Sequence, residues 1–504
     1  MSSFAVSLVS LVSFGLVSSA QADSKQPTHQ GHPMGNGGYC GTPDASPVLR
    51  SAPHHHASNV IFLDRCVGGC TFTGASTHDA KNDKVAIQGT SVGSTYSFTE
   101  FKNYAGEGGA AADAEWNAIL ECTRKVYSYY NTTVTDVKPT TGTYHRSVLT
   151  GLATQLIVDA DNSLLGISDV DCSGPIDNMS SFSFSESQRP FSSSSANFVR
   201  DLCVTVTHEA GHAFGLEHEF EFTDGKSACN DPMSYDTGNC NPPNHYFRNK
   251  PARCGGFELM ECSCTSQGQN SHLKLNAVFG PGAPTIAPPI ATITTPAAGG
   301  SVGAVIIGSA GHERGVEFVE FYVNDFKWAV VQGALFVPRA GQPNPSPYTF
   351  QLPAEMPGGV MDIKIRAYDD LGNFTESPIT TATKGAPCAT ADNCAEGQKC
   401  EAGKCFWDQP VGVAGQECTF DQFCVSNVCA GEEGSQICTT TCIPGVADSC
   451  ESGFECVGTG NLGFCLLPEE GGCCSTSNDS APWAPLLLGA SILGFVVVRR
   501  RRSR

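Results

Sequence analysis

The chain has 504 residues, 25 of them cysteine, a formal net charge of −20 and only 16% charged side chains. That length exceeds what one hydrophobic core sustains and suggests about three domains. An acidic surface of this kind excludes nucleic acid as a partner by repulsion, and so many cysteines exclude a reducing compartment.

The amino end supports export. Residues 1–22 read as a signal peptide: Phe4 to Ala20 is apolar and small, and Ala20-Gln21-Ala22 forms a small-x-small cleavage site before Asp23. Residues 23–57 then form a short leader segment with one isolated cysteine, Cys40, in Tyr39-Cys40-Gly41-Thr42-Pro43-Asp44. Its His54-His55-His56 run reads as a polar linker.

Residues 58–282 mix strands and helices. Val60-Ile61-Phe62-Leu63 is an apolar run of strand length. Asp113 is placed to cap a helix on which Trp116, Ile119, Leu120, Val126, Tyr127 and Tyr130 form one buried stripe. Leu156-Ile157-Val158 predicts a second buried strand. Ser181-Phe182-Ser183-Phe184-Ser185 alternates and predicts a half-exposed one. Val199, Leu202, Cys203, Val206, Ala210, Ala213 and Phe214 mark the inner face of a further helix. The expected fold is α+β, with helices backing a twisted sheet above a cleft.

That last helix runs into His208-Glu209-Ala210-Gly211-His212-Ala213-Phe214-Gly215-Leu216-Glu217-His218. One helical turn separates His208 from His212, so both rings face the same way. Gly215 can adopt the left-handed conformation that ends a helix and returns His218 as a third ligand. Three protein ligands leave one tetrahedral position open, which suits a catalytic zinc rather than a structural one. Glu209 is placed to act on a water without binding metal, as a general base. Downstream, Asp231-Pro232-Met233-Ser234-Tyr235 supplies a methionine and a tyrosine.

H-E-x-x-H-x-x-G-x-x-H followed by such a turn resembles the metzincin clan of zinc metalloproteases. The resemblance covers about residues 58–280 and implies that Met233 forms the Met-turn beneath the three histidines. Tyr235 resembles the tyrosine that can touch the metal in astacins and serralysins. Glu219 after the third histidine is similar to astacins, Met-Ser-Tyr to serralysins and Cys-Gly-Thr to pappalysins, so the family within the clan stays open. The leader segment resembles the cysteine switch of metzincin zymogens, C-G-x-P-D in matrix metalloproteinases, with Tyr39 where those carry arginine. This implies that residues 23–57 are a propeptide and that Cys40 is an inhibitory zinc ligand. Pairing with another cysteine is the alternative. The expected substrate is a protein or peptide lying extended, paired with the strand near Phe182 and Phe184.

Pro281 to Pro289 reads as a stiff linker, and residues 283–386 as an all-β sandwich. Val319-Glu320-Phe321-Tyr322-Val323-Asn324 and Met361 to Tyr368 alternate, and Asp369-Asp370-Leu371-Gly372-Asn373 supplies a turn. These strings resemble bacterial immunoglobulin-like domains, expected first as a spacer. Residues 387–470 form a cysteine-rich module too polar for an ordinary core. Ten cysteines from Cys66 to Cys264 and twelve from Cys388 to Cys465 predict five and six disulfides, of unreadable connectivity. No C-x-x-C pairs suggest metal there, and nothing indicates calcium.

Residues 471–504 hold Gly471-Gly472-Cys473-Cys474, an uncharged apolar run from Ala481 to Val498 and then Arg499 to Arg502. The run is long enough to span a bilayer, and the arginines hold its end in the cytoplasm. This tail resembles the MYXO-CTERM sorting signal. The resemblance implies a membrane protease as processing partner and a cell-surface or secreted product; a permanent anchor is the alternative. The expected activity is a zinc-dependent endopeptidase made latent. Two other readings stand beside it: an adhesin with a protease-derived domain, and a processing protease dedicated to one partner protein.

Overall fold

The computed structural model describes residues 31–34, 38–41 and 58–468, except 162, 224, 236–244, 266–267, 334–344, 355, 433, 443–449 and 460–461. The segment 1–22 read as a signal peptide, the His54-His55-His56 run and the tail from 471 onward lie outside the described residues. Among the described residues no helix is long and apolar enough to cross a membrane, and the candidate span Ala481 to Val498 is not one of them. The chain is multidomain, built mainly from β-sheets with few helices and many disulfides. Two compact units are distinguished: Met1–Ala395 with Lys399–Phe406, and Glu396–Gln398 with Trp407–Arg504.

The first unit begins with a seven-stranded sheet. Its strand order is Gly31–Met34, Gly38–Gly41, Leu164–Ile167, Ser180–Phe184, His145–Thr150, Val60–Asp64 and Thr133–Thr135. The last four run parallel, while Leu164–Ile167 is antiparallel to Ser180–Phe184. Every residue of Ser180–Phe184 is buried. The predicted half-exposed strand is therefore an interior one: a small three-stranded sheet covers its other face, with Phe72 and Phe98 packed on Phe182 at 5.1 and 5.2 Å. Strict alternation reports two chemically different faces, and here serine hydroxyls are buried as well as phenylalanines.

Two helices, Asp113–Tyr127 and Ser195–Ala213, share one core and are tied by Cys122–Cys203. Asp113 does not cap its helix; it is the first helical residue and its carboxylate accepts from Arg65 at 2.6 Å. Tyr130 lies beyond the helix yet stays in the core. Leu156-Ile157-Val158 is no strand either. It follows a short 3₁₀ turn at Ala153–Gln155, with Val158 81% exposed, and the strand forms later, at Leu164–Ile167. Ser194 caps the second helix by accepting from the Asn197 amide at 3.2 Å.

The sandwich has a three-stranded sheet (Ile290–Thr295, Val305–Gly311, Ser346–Gln351) and a five-stranded one centred on Gly359–Tyr368. Gly359–Tyr368 alternates buried and half-buried residues along its whole length, as its sequence predicts. Ile286 and Leu371 pack against the core of the preceding domain, and Gly282 donates to the Tyr129 carbonyl at 2.9 Å. The expected stiff linker is thus laid down on the fold.

Disulfides Cys66–Cys70, Cys122–Cys203, Cys172–Cys264 and Cys254–Cys262 form in the first domain, where Cys229 is also bonded. All twelve cysteines from Cys388 to Cys465 pair, as their even number predicts. The connectivity shows a repeat not legible in sequence. Cys388–Cys400 crosses Cys394–Cys405, Cys418–Cys429 crosses Cys424–Cys438, and Cys442–Cys456 crosses Cys450–Cys465. First pairs with third and second with fourth each time.

Buried imidazoles make the stability of this fold depend on pH. Burial pushes His145 down to about 3, helped by His78, and His245 down to about 3, helped by Arg200 and Arg248. An unfolded chain takes up those protons below about 6.5, whereas the folded one does so only near 3. Stability is therefore lost as pH falls from about 6.5, at up to roughly 1.4 kcal/mol per pH unit for each ring. Urea midpoints of chelator-treated protein at pH 7 and pH 5 check this; equal midpoints contradict it.

Candidate metal centre

The helix Ser195–Ala213 delivers His208 and His212 fully buried, and Phe214 and Gly215 (φ +89°) then turn the chain back. The amide of Gly215 donates to the His212 carbonyl at 2.8 Å and that of Leu216 to Gly211 at 3.1 Å. This closure brings His218 to the other two rings. The three Nε2 atoms form a triangle with edges of 2.9, 3.0 and 3.2 Å. Ligands of a tetrahedral zinc stand roughly 3.3 Å apart, so the triangle fits that ion closely.

The other ring nitrogens strengthen the fit. His208 Nδ1 lies 2.7 Å from the Pro232 carbonyl and His212 Nδ1 2.7 Å from the Leu216 carbonyl. A carbonyl only accepts, so each Nδ1 carries the proton and each Nε2 turns a bare lone pair inward. Lone pairs converging at that distance call for a cation between them. Burial also holds the His212 imidazole down, at about 4, which favours the neutral, ligating form.

Four other groups among the described residues bring His, Cys, Asp or Glu within ligand distance of one another. Their cysteines are all oxidised: Cys388, Cys394, Cys400, Cys418, Cys424, Cys429, Cys442, Cys450, Cys456, Cys254 and Cys262 are in disulfides. The histidine triangle is what remains.

Met233 is buried beneath the helix, where a Cβ on Gly211 would come within 2.7 Å of its sulfur. The small residue inside the histidine motif is thus required by the methionine below it. Tyr235 places its ring 4.1 Å from that of His218, tilted by 49°, with its hydroxyl in hydrogen-bond contact with His218 Nε2. The carboxylate of Glu209 faces the sheet: a Cβ on Gly166 would lie 2.4 Å from Glu209 Oε1 and 2.7 Å from its Cγ. Gly166 belongs to Leu164–Ile167, and no sequence pattern singled it out.

Leu164–Ile167 also corrects the expected substrate strand. Phe182 and Phe184 lie on an interior strand, paired on both sides. The strand beyond it is Leu164–Ile167, whose outer edge carries Gly38–Gly41 in parallel register, with Cys40 opposite Gly166. The backbone of Cys40 is therefore next to the residue that overhangs Glu209. Its side chain lies outside the described residues.

His218 is held by flanking polar contacts that sequence reasoning missed. Gln269 Oε1 accepts from the Glu217 amide at 2.8 Å, and its Nε2 donates to the Glu217 carbonyl at 2.9 Å and to Glu219 at 3.2 Å. The Glu217 carboxylate accepts from the amides of Ser263 and Cys264 at 2.7 and 2.8 Å. Burial, reinforced by the nearby charge of Asp231, holds the Glu219 carboxyl well above the usual range.

No family model matches this chain, and no curated protein matches it. Among solved structures, fibronectin(III)-like modules of CbhA from Clostridium thermocellum are similar at 23% identity over 20% of this chain, with a TM-score of 0.15. The chain spans about half, 53%, of that structure. Wild-type OgpA from Akkermansia muciniphila is similar at 12% identity, covering 68% of this chain and 99% of its own, with a TM-score of 0.15.

Proposed function

We propose that this chain is an exported zinc endopeptidase of metzincin type, synthesised latent. The observation that carries the reading is the histidine triangle, with two of its three Nδ1 atoms committed to carbonyls and Glu209 beside it on the same helix. His208, His212 and His218 would hold the ion, which when bound makes a water acidic and polarises a carbonyl.

The chain's own residues supply the rest. Glu209 takes the proton from the attacking water and returns it to the leaving amine. Its dry surroundings keep that proton from exchanging with bulk solvent. The Tyr235 hydroxyl, already at the point where the imidazoles converge, donates to the developing oxyanion. An extended peptide pairs with the edge of Leu164–Ile167, which sets its scissile bond over Glu209. A catalytic base would serve no purpose in an adhesin, and disulfides in the first domain and the cysteine-rich module suit an exported enzyme.

The test is metal content together with proteolysis. Purified mature protein is expected to hold one zinc per chain and to lose peptide hydrolysis with a chelator, regaining it with zinc. Full hydrolysis after complete metal removal would reject the reading.

Gly38–Gly41 occupies the edge that a substrate needs, and the proposed latency depends on Cys40, as a zinc ligand, keeping it there. Cys40 is the proposed inhibitory ligand, and the mature enzyme forms when residues 23–57 leave. Cys40→Ala is expected to hydrolyse peptides before processing, at about 10-fold or more above the unprocessed parent. An unchanged latent rate would remove Cys40 from the mechanism.

A further inference from the structure

Two arginines are among the most deeply buried side chains of this protein: Arg248 of the first domain and Arg314 of the sandwich, each 1% exposed. Buried guanidinium groups are costly unless every donor is used. Arg314 grips Asp370 with a two-pronged contact, its Nη2 at 2.8 Å from Oδ2, and donates as well to the Phe247 carbonyl. Arg248 donates to the Arg314 carbonyl and lies 3.7 Å from Asp370. Asp370 also accepts from the Asn249 amide at 2.9 Å, and Tyr129 lies under the Arg314 guanidinium at 4.8 Å. Burial alone would raise the Asp370 carboxyl, yet Arg314 and Arg248 hold it well below the usual range.

The network does not stop at the domain boundary. The Arg248 amide donates to Asp231 Oδ2 at 2.6 Å, a carboxylate that also takes the Ser271 hydroxyl and, through Oδ1, the Met233 amide at 2.9 Å. Asp231 thereby shapes the turn whose next residue, Pro232, accepts from His208 Nδ1. Asp370, Arg314, Arg248, Asp231 and Pro232 form one continuous path from the sandwich to a histidine of the triangle.

We propose that the sandwich is a working part of the metal centre: Arg314 and Asp370 are positioning residues that hold the Asp231-Pro232-Met233 turn and, through it, His208. Asp370, which its sequence context marks as a turn residue, is instead the anion that lets two arginines sit in a dry interface. The sandwich therefore cannot be exchanged for a spacer of similar length without loosening the site. This inference rests on the zinc reading above.

The test compares Arg314→Met and Asp370→Asn with the parent in the mature full-length chain. Zinc affinity is read by competition with a chelator, and amide exchange is read at Met233. Both variants are expected to bind zinc about 10- to 100-fold more weakly, to exchange Met233 faster and to lose kcat with little change in KM. Lys250→Ala, which removes the Lys250–Glu317 pair at 3.2 Å and the ammonium 5.9 Å from the Phe222 ring while leaving Arg314 and Asp370 in place, serves as control and is expected to change none of these. Arg314→Lys keeps the charge but not the fork and is expected to fall between Arg314→Met and the parent. Folded variants with parental zinc affinity and Met233 exchange would overturn the proposal. If all three network variants fail to fold, the contact serves folding and the positioning claim is withdrawn. A parent that binds no zinc rejects the peptidase reading instead.

Discussion

Glu209→Gln is expected to keep zinc at parental occupancy and to lose peptide hydrolysis by about 10²- to 10⁴-fold. Glutamine preserves the size of the side chain but cannot take a proton from water. The ion is expected to remain because its proposed ligand atoms are the three Nε2 groups, with His208 and His212 oriented by the Pro232 and Leu216 carbonyls. Metal analysis and steady-state hydrolysis on one preparation separate the two effects. Near-normal turnover would remove Glu209 as the base. Loss of metal together with activity would make it a structural group of the site.

The second large effect comes from a residue with no chemistry of its own. Gly166→Ala adds a carbon 2.4 Å from Glu209 Oε1 and 2.7 Å from Cγ, distances that non-bonded atoms do not tolerate. Glu209 is fully buried on a packed helix, so the conflict must swing its carboxylate away or push the strand outward. A displacement of about 1 Å at a catalytic group costs on the order of 100-fold in turnover. The variant is expected to bind zinc normally, unfold at somewhat lower temperature and turn over about 100-fold more slowly. Parental kcat would mean that the strand yields without moving the base.

These two predictions divide along what each residue shows in a sequence. The convergence of His208 and His212 was legible because helical periodicity converts spacing directly into a shared face. Gly215 was legible because its left-handed φ is a local requirement, observed at +89°. Gly166 was invisible. Its lack of a side chain matters only because a helix some forty residues later brings a carboxylate against it. Gln269, Arg314 and Asp370 are of the same kind, since each acts on partners distant in sequence.

The strand readings failed for a related reason. Leu156-Ile157-Val158 has the composition of a strand, but it becomes a turn with Val158 exposed, while Leu164–Ile167 takes the place beside Ser180–Phe184. Composition reports how well a segment tolerates pleated, half-buried surroundings; which segment takes that position depends on the neighbours available. Likewise the even count from Cys388 to Cys465 predicted the number of bonds there but left their pairing open, because a disulfide joins residues by distance after folding.

By itself the sequence determined whatever depends on neighbours along the chain: the helix of His208 and His212, its terminating glycine, the alternating run Met361 to Tyr368 and the number of bonds in the cysteine-rich region. Tertiary structure alone decided which strand borders the histidine triangle, which glycine must stay bare above Glu209, and that the sandwich is joined to the turn under His208 through buried charge. Local geometry follows from a few consecutive torsions, whereas these contacts join residues that only the folded chain brings within bonding distance.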